Sequence, residues 1–349
     1  MTSVAARSGL ARRVAAARRR RSRRRLVATG LLAFAVAVAF ALTLMVGDTF
    51  YPPGEVIRVL AGEIVPGASF TVGELRLPRA ALGLLAGLCF GMAGVTFQGI
   101  LRNPLAAPDV IGISAGASAA AVTGIVLLSL DEAAVSLLAL GGALGTAATI
   151  FLLSHRGGFA GTRLILIGIG VAAMLNSVVV FVLSRAAAWD LQAATRWLTG
   201  SLNAATWSAV VPTALACAVL IPLLISQSRA LAALRLGDDS AAALGVRATP
   251  TRVLALLAGT ALLAFATAGA GPISFVAFMA GPIAMRLVGP APTHLVSSGL
   301  VGALLVLAAD LVAQFAFATR YPVGVVTGAL GAPFLVFLLI RLNRSGGSA

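Results

Sequence analysis

Residues 76–118 decide the fold, and they read RLPRAALGLLAGLCFGMAGVTFQGILRNPLAAPDVIGISAGAS. An apolar run of helix length begins beside two arginines and ends at Arg102. Pro104 and Pro108 follow, and each removes a backbone amide donor and disfavours helical geometry in the residue before it. Glycine-spaced apolar sequence resumes at Gly112. The stretch predicts two membrane-embedded helices joined by a short turn.

The remainder of the chain is similarly apolar. Of its 349 residues, 59% are hydrophobic and 11% are charged, which leaves too little polar surface to cover a soluble domain. About 20 apolar residues cross roughly 30 Å of hydrocarbon, and the sequence contains ten runs near that length, the eighth being the shortest. They are Leu26–Val46, Leu77–Leu101, Val110–Leu128, Ala133–Leu153, Leu164–Ser184, Trp207–Ile225, Val253–Ala270, Phe275–Val288, Ser298–Phe317 and Val323–Leu342.

These runs predict an all-α membrane protein with ten transmembrane helices. The predicted domain covers residues 26–342 and includes a cytoplasmic loop at residues 235–247. It follows an arginine-rich cytoplasmic tail, residues 1–25, and precedes a short C-terminal tail, residues 343–349.

The basic residues set the predicted orientation. The net charge is +15, ten of the 26 basic residues lie between Arg7 and Arg25, and the chain contains no lysine. With a cytoplasmic N-terminus, ten spans place twenty arginines inside and six outside, in agreement with the positive-inside tendency. We therefore predict that both termini are cytoplasmic. Because the basic residues cluster directly before the first span, they favour a topology anchor over a nucleic-acid site.

The second run has a face of small residues. Gly83, Gly87, Gly91 and Gly94 recur at spacings of three and four, which lets a neighbouring helix backbone approach closely. The pattern predicts a tightly buried helix. Gln98, near its inner end, is interpreted as an interhelical hydrogen-bonding group, with the lining of a transport pathway as the alternative.

A second irregular segment lies between the seventh and eighth runs. Pro272 and Pro282 interrupt apolar sequence there, and such broken helices are tolerated where protein or a water-filled cavity satisfies the backbone. We expect this segment to border a pathway. Asp310 is the only acid well inside a span; it has no evident basic partner in the sequence, which favours a structural role over proton coupling.

Three loops carry further signals. Residues 226–252, the longest inner loop, predict two short helices whose leucines and charges favour a protein partner. Residues 47–74 are interpreted as an outer connector with one helical turn. The outer loop at residues 185–206 holds Trp189 and Trp197, and Trp207 follows it directly. These three tryptophans indicate an interfacial aromatic belt, the alternative being a docking surface.

Several kinds of active site are not indicated. A chain without lysine cannot form a P-loop, so it cannot hydrolyse ATP by that route. His155 and His294 are far apart in sequence and lack metal-ligand spacing. Cys89 and Cys217 fall within spans, where they are interpreted as small hydrophobic residues. We expect no enzyme site, cofactor or metal in this chain.

An ordered set of motifs resembles the FecCD-type permeases, the membrane subunits of ABC importers for iron–siderophore complexes, haem and cobalamin. The resemblance covers about residues 30–342. The matching residues are Arg76-Leu77-Pro78-Arg79, Gln98, Arg102-Asn103-Pro104-Leu105-Ala106, Pro108-Asp109, Gly112 to Ala117, Leu236-Gly237, Leu244-Gly245, Gly271-Pro272-Ile273, Asp310, Pro322-Val323-Gly324 and Gly331 to Phe334.

The resemblance implies the type II ABC importer permease fold in a bacterial cell membrane. It implies a homodimer or a heterodimer with a second permease, two cytoplasmic ATPase subunits that bind the ATP, and an extracytoplasmic binding lipoprotein. The sequence Gly281-Pro282-Ile283 resembles siderophore permeases and favours ferric siderophores. Gln314 stands where some members have a docking arginine, and Arg320 is the candidate replacement.

The resemblance also implies roles for particular residues. Docking of the binding protein is assigned to Arg76, Arg79 and Arg320. Coupling to the ATPase is assigned to Arg235, Leu236, Gly237, Asp238, Asp239, Leu244 and Gly245. The pathway or gate is assigned to Gln98, Asn103, Pro104, Gly112, Ser114, Gly116, Pro272 and Asp310.

Three alternatives to the ferric-siderophore permease remain open at this stage. Haem and cobalamin permeases share every motif. An ion-coupled secondary transporter would use Asp310 as its titrating group. A membrane scaffold without transport would need none of the coupling residues.

Overall fold

A computed structural model describes residues 4–106, 108–109, 111–154 and 161–346, with side chains from residue 16 to residue 341 within those ranges. Every regular element in these ranges is helical, and a π-helical turn covers Thr71–Arg76. The α-helices are α1 (Val4–Met45), α2 (Pro53–Leu60), α3 (Ala68–Phe70), α4 (Leu77–Leu101), α5 (Ile113–Val126), α6 (Glu132–Ser154), α7 (Gly161–Leu183), α8 (Ala188–Thr199), α9 (Trp207–Ser226), α10 (Ser228–Leu234), α11 (Asp238–Ala243), α12 (Ala248–Ala270), α13 (Val276–Val288), α14 (Leu295–Phe315) and α15 (Val323–Gly346).

Each of the ten predicted spans corresponds to a helix, and the all-α membrane fold is confirmed. Eight helical segments in the described residues are long and apolar enough to cross a membrane. The other two, α5 and α13, have 14 and 13 residues, or about 20 Å at 1.5 Å per residue. The predicted span at residues 110–128 is therefore too long, because a left-handed Gly112 (φ 94°) delays the start of α5.

Two segments interpreted as loops are largely helical. Residues 47–74 contain α2, α3 and the start of the π-helical turn, and their apolar side chains pack with Leu44 in a small core. Helix signals were present, since α2 has Pro53 in its first turn and Arg58 in its last. The outer loop at residues 185–206 contains α8. Residues 47–74 therefore contain more helix than the single predicted turn, and the aromatic belt expected around residues 185–206 stays a prediction.

The arginine-rich segment is not separate from the first span. Helix α1 runs without interruption from Val4 to Met45, so the predicted tail and the predicted span form one helix. Residues 1–3 and 347–349, at the ends of the two predicted tails, lie outside the described residues, as do His155 and Arg156.

Helix α4 is the centre of the bundle. It packs against α14, α12 and α13, and the predicted glycine face makes the contact. A Cβ atom at Gly87 would collide with the backbone of Ala303, and one at Gly94 would collide with Ala277. Phe90 is fully buried in the same helix. The prediction of a tightly packed second helix is confirmed.

The break between α12 and α13 is also confirmed. Gly271 (φ 71°) ends α12 and Phe275 (φ 64°) precedes α13, both in left-handed backbone conformations. Close backbone contact surrounds the break, because Gly200 lies against Pro272 and accepts a hydrogen bond of 3.1 Å from the amide of Gly324. Glycine is required where backbones approach this closely. The segment between α12 and α13 therefore packs against the end of α8 and the start of α15.

A substitution pair in α4 tests the importance of this packing. Gly87→Ala places a Cβ atom against the α14 backbone, and overpacking of this kind should lower the free energy of unfolding by about 1–3 kcal/mol. Gly99→Ala in the same helix meets nothing within 4 Å and should be neutral or slightly stabilising. Thermal unfolding in detergent would measure both. Equal melting temperatures would contradict the proposed role of the glycine face.

Candidate functional site

The polar residues with functional potential form two clusters at opposite ends of α4. Arg76 and Arg79 begin this helix and Arg102 follows its last residue; its 25 residues measure about 37 Å. We call the groups around Arg79 and Arg102 the outer cluster and the inner cluster, after the predicted orientation.

The outer cluster is built on an ion pair between Arg79 and Asp310. The Nε and Nη2 atoms of Arg79 donate to Oδ2 and Oδ1 of Asp310 at 2.8 and 2.7 Å. The side chains are 15% and 1% exposed. Gln314 donates to Oδ2 of the same carboxylate at 2.8 Å, and Asn203 accepts from Arg79 at 2.8 Å. The expectation that Asp310 has no basic partner is wrong.

Arg76 binds the C-terminal end of α1. Its guanidinium donates to the carbonyls of Leu44 and Met45 at 2.9 Å each and to that of Thr49 at 2.7 Å. The last carbonyls of a helix lack partners within the helix, and a cation there is favoured by the helix dipole. The absence of a side chain at Gly47 leaves room for this guanidinium.

Arg320 is an exposed cation of the outer end. It donates to both carboxylate oxygens of Asp48 at 2.6 Å, and the side chains are 56% and 80% exposed. The hydrogen bond from Arg320 lowers the pKa of Asp48. Of the three arginines assigned to docking, Arg76 and Arg79 donate to acceptors that are less exposed. The Arg320–Asp48 ion pair, in contrast, lies in solvent.

The inner cluster is centred on Asp238, the first residue of α11. Its carboxylate accepts from Arg252 in α12 at 2.8 and 2.5 Å and from Arg102 at 2.9 Å. The hydrogen bonds from Arg252 are the main cause of the lowered pKa of Asp238. Because the folded-state pKa is lowered, the stabilisation is present above the ordinary aspartate pKa and is lost as the pH falls through the lowered value.

The inner loop at residues 226–252 contains two short helices, α10 and α11, as expected, and α11 lies within the predicted coupling loop at residues 235–247. Leu236 and Leu244 are 68% and 65% exposed, so both present apolar surface outward. Leu234, in contrast, is buried at the end of α10. Arg235 donates to the carbonyl of Pro292 at 3.3 Å, and Asp239 is exposed.

Gln98 forms the predicted interhelical hydrogen bond. Its Nε2 atom donates to the carbonyl of Phe278 in α13 at 3.0 Å, and the side chain is buried. Asn103 and Pro104 lie in the turn after α4, where Asn103 accepts from the amide of Leu105 at 2.9 Å and thereby shapes the turn.

The remaining pathway candidates near the inner end also make helix contacts. Gly112 lies against Ala172 in α7, and Gly116 lies against Gly142 in α6, so both glycines permit close helix packing. Ser114 donates to Asp109 at 2.5 Å. Burial raises the pKa of Asp109, and this hydrogen bond opposes part of the shift.

The structure does not bring the pathway candidates together. Asp310 and Pro272 lie toward the outer end, Gln98 lies between α4 and α13, and Asn103 and Ser114 lie near the inner end. Their role in a pathway stays a prediction. Among the described residues, no group of three or more histidine, cysteine or acidic side chains could hold a metal ion.

Sequence reasoning missed the partners of both clusters. Arg79 and Asp310 are 231 positions apart in sequence, and Arg102 and Asp238 are 136 positions apart. No local sequence pattern therefore predicts these ion pairs. One signal was available for the first pair. In a lysine-free chain the usual cationic partner of a buried acid is an arginine, and Arg79 lies inside the second predicted span, at the end that the topology places beside Asp310.

Comparison with known proteins gives a consistent result. The model of the FecCD transport family matches residues 35–341. FepG, the permease protein of the ferric enterobactin transport system of Escherichia coli (strain K12), is 41% identical over 318 residues, which cover 90% of this chain and 96% of FepG. CbrC, the achromobactin transport system permease protein of Dickeya dadantii (strain 3937), is 36% identical, and the match covers 89% of this chain and 89% of CbrC.

The fold of this chain also matches a solved structure. It is described as an inward-facing conformation of a metal-chelate type ABC transporter, and it superposes with a TM-score of 0.79 at 26% sequence identity. The match covers 90% of this chain and 98% of that chain. The type II importer permease fold expected from the resemblance is therefore confirmed.

The buried pair of the outer cluster gives a stability prediction. Arg79→Gln leaves the Asp310 carboxylate without its cation and should lower the free energy of unfolding by about 3–5 kcal/mol. Removing both charges, with Arg79→Met and Asp310→Leu, should recover most of that loss. Thermal unfolding in detergent would measure the series. Arg320→Gln, at the exposed pair, is the control and should change little; an equal loss there would contradict the argument.

Proposed function

The chain belongs to the FecCD transport family, and we propose that it is the permease subunit of an ABC importer that carries ferric-siderophore complexes into the cell. The cargo assignment rests on the 41% identity to FepG, a permease of a ferric enterobactin system, of which the match covers 96%. Haem and cobalamin are the alternative cargoes. The names of the two relatives support ferric siderophores.

In this proposal the energy comes from partner subunits. A chain without lysine has no P-loop, so ATP is bound and hydrolysed by separate cytoplasmic ATPases, and this chain holds no cofactor. Membership of an ABC importer family implies such partners together with a substrate-binding protein. Two permease subunits, identical or related, would enclose the pathway between them.

The proposed orientation places both termini and the inner cluster in the cytoplasm. The arginine count supports it, with twenty predicted inside and six outside. Leu236 and Leu244 then form an exposed apolar contact for the ATPase. A surface that combines exposed leucines with charges is suited to a protein groove.

The outer cluster forms the proposed docking face for the binding protein. Arg320 is exposed, and breaking its solvent-exposed ion pair with Asp48 costs little free energy. It is therefore the residue assigned to direct contact with the binding protein. Arg76 and Arg79 shape the same face by fixing α1 and α14 against α4. The engaged carboxylate of Asp310 also counts against the secondary-transporter alternative, because it is held by Arg79 and Gln314.

Transport in proteoliposomes tests the proposal. The chain, its ATPase and its binding protein would be reconstituted and supplied with ferric enterobactin, haem or cobalamin in parallel. We expect uptake of the ferric siderophore that depends on ATP and on the binding protein. Uptake of only haem or cobalamin would overturn the cargo class. Uptake driven by an imposed proton gradient without ATP would overturn the ABC importer assignment.

Charge reversal tests the docking face separately. Arg320→Glu should slow association of the binding protein by about tenfold at low salt, because charges at an interface rim act mainly on the association rate. Arg58→Glu is a matched control, since Arg58 is also 56% exposed and paired with an acid, Glu63. Surface plasmon resonance would measure both rates. Equal slowing would show a net-charge effect and contradict a contact at Arg320.

A further inference from the structure

Asp238 joins three segments of the chain that are distant in sequence. One carboxylate oxygen, Oδ1, accepts from Arg102 directly after α4, and both oxygens accept from Arg252 in α12. A planar guanidinium that binds both oxygens of a carboxylate fixes direction as well as distance. The start of α11 is therefore held against two of the most extensively packed helices in the bundle.

Arg102 extends the same link to α10. Its Nη2 atom donates to the carbonyl of Leu234 at 2.9 Å as well as to Asp238. The backbone of Arg102 is left-handed, with φ 51°. That conformation is uncommon for a residue other than glycine and persists where surrounding contacts determine it. The end of α4 thus holds the end of α10 and the beginning of α11 together.

Helix α11 lies between two glycines with positive φ angles. Gly237 precedes it with φ 112° and Gly245 follows it with φ 80°, and a side chain at either position would meet nothing within 4 Å. Glycine there is therefore required by the backbone conformation and not by close packing. Ala241 in the middle of α11 is fully buried in the core. Asp238, next to Gly237, adds a charged attachment at the first residue of α11.

We propose that Asp238 is a positioning residue that transmits movement of the α10–α11 segment to α4 and α12. The inference rests on the proposed function, in which the exposed Leu236 and Leu244 contact the ATPase. When the ATPase moves that surface, the ion pairs of Asp238 convert the motion into displacement of α4 and α12 instead of local bending at Gly237. The role is mechanical, and Asp238 need not contact ATP or cargo.

The test separates ATP hydrolysis from transport in the complete reconstituted importer. Asp238→Asn keeps the size of the side chain but removes the charge that binds the two arginines. We expect the ATPase to remain bound and active, while ferric enterobactin imported per ATP hydrolysed falls about tenfold, the factor that corresponds to loss of a charge-assisted hydrogen bond. Arg229→Gln removes a charge from an exposed arginine of α10 and serves as the control, with an unchanged ratio.

A double substitution tests whether Asp238 and Arg252 act as one link. If they do, Asp238→Asn combined with Arg252→Gln should be no worse than the more severe single variant. Additive losses would overturn the proposal, as would an unchanged import ratio in Asp238→Asn or loss of ATPase binding in that variant. Failure of the unsubstituted importer to take up ferric enterobactin would instead count against the proposed function.

Discussion

Backbone contact between α4 and α14 is the constraint on which the rest of the structure depends. Within lipid, helices gain little from hydrophobic association, because acyl chains are as apolar as leucine, and close packing must hold them. Gly87 and Gly302 face each other with no side chain between the two backbones. Glycine weakens an isolated helix by about 1 kcal/mol relative to alanine. It is useful here because it permits an approach that a Cβ atom would prevent.

A helix enclosed in this way must find partners for its terminal charges within the same chain. Arg79 and Arg102 lie at the two ends of α4, and each meets a carboxylate from a distant segment. A buried charge without a partner costs several kcal/mol, so the buried Arg79–Asp310 pair is a condition of the packing. The Arg102 and Asp238 side chains are 49% and 52% exposed, so this argument does not extend to them. Arg76 follows the same logic with the carbonyls of α1. The resemblance assigns Arg76 and Arg79 to an external partner, but both first serve the fold.

The predictable features were those with a local signature. The spacing of Gly87, Gly91 and Gly94 indicated a buried face, and the leucines, glycines and charges of residues 226–252 indicated two short helices. Ion pairs such as Arg79–Asp310 have no local signature, because they depend on which helices become neighbours. Helix α8 was missed for a different reason. Its tryptophans, Trp189 and Trp197, indicated the membrane interface, whereas the spacing of Leu191, Ala194 and Leu198 is that of a helix.

The two clusters differ in a way that determines how α4 can move. The outer pair is buried, with Asp310 1% exposed, whereas Asp238 in the inner cluster is 52% exposed. Breaking a buried pair is costly, so the outer end of α4 is the more firmly fixed. A helix of about 37 Å that is held at one end and displaced at the other tilts as a rigid body. In the proposed importer, movement delivered through Asp238 would therefore be largest at the cytoplasmic side and smallest beside the docking face.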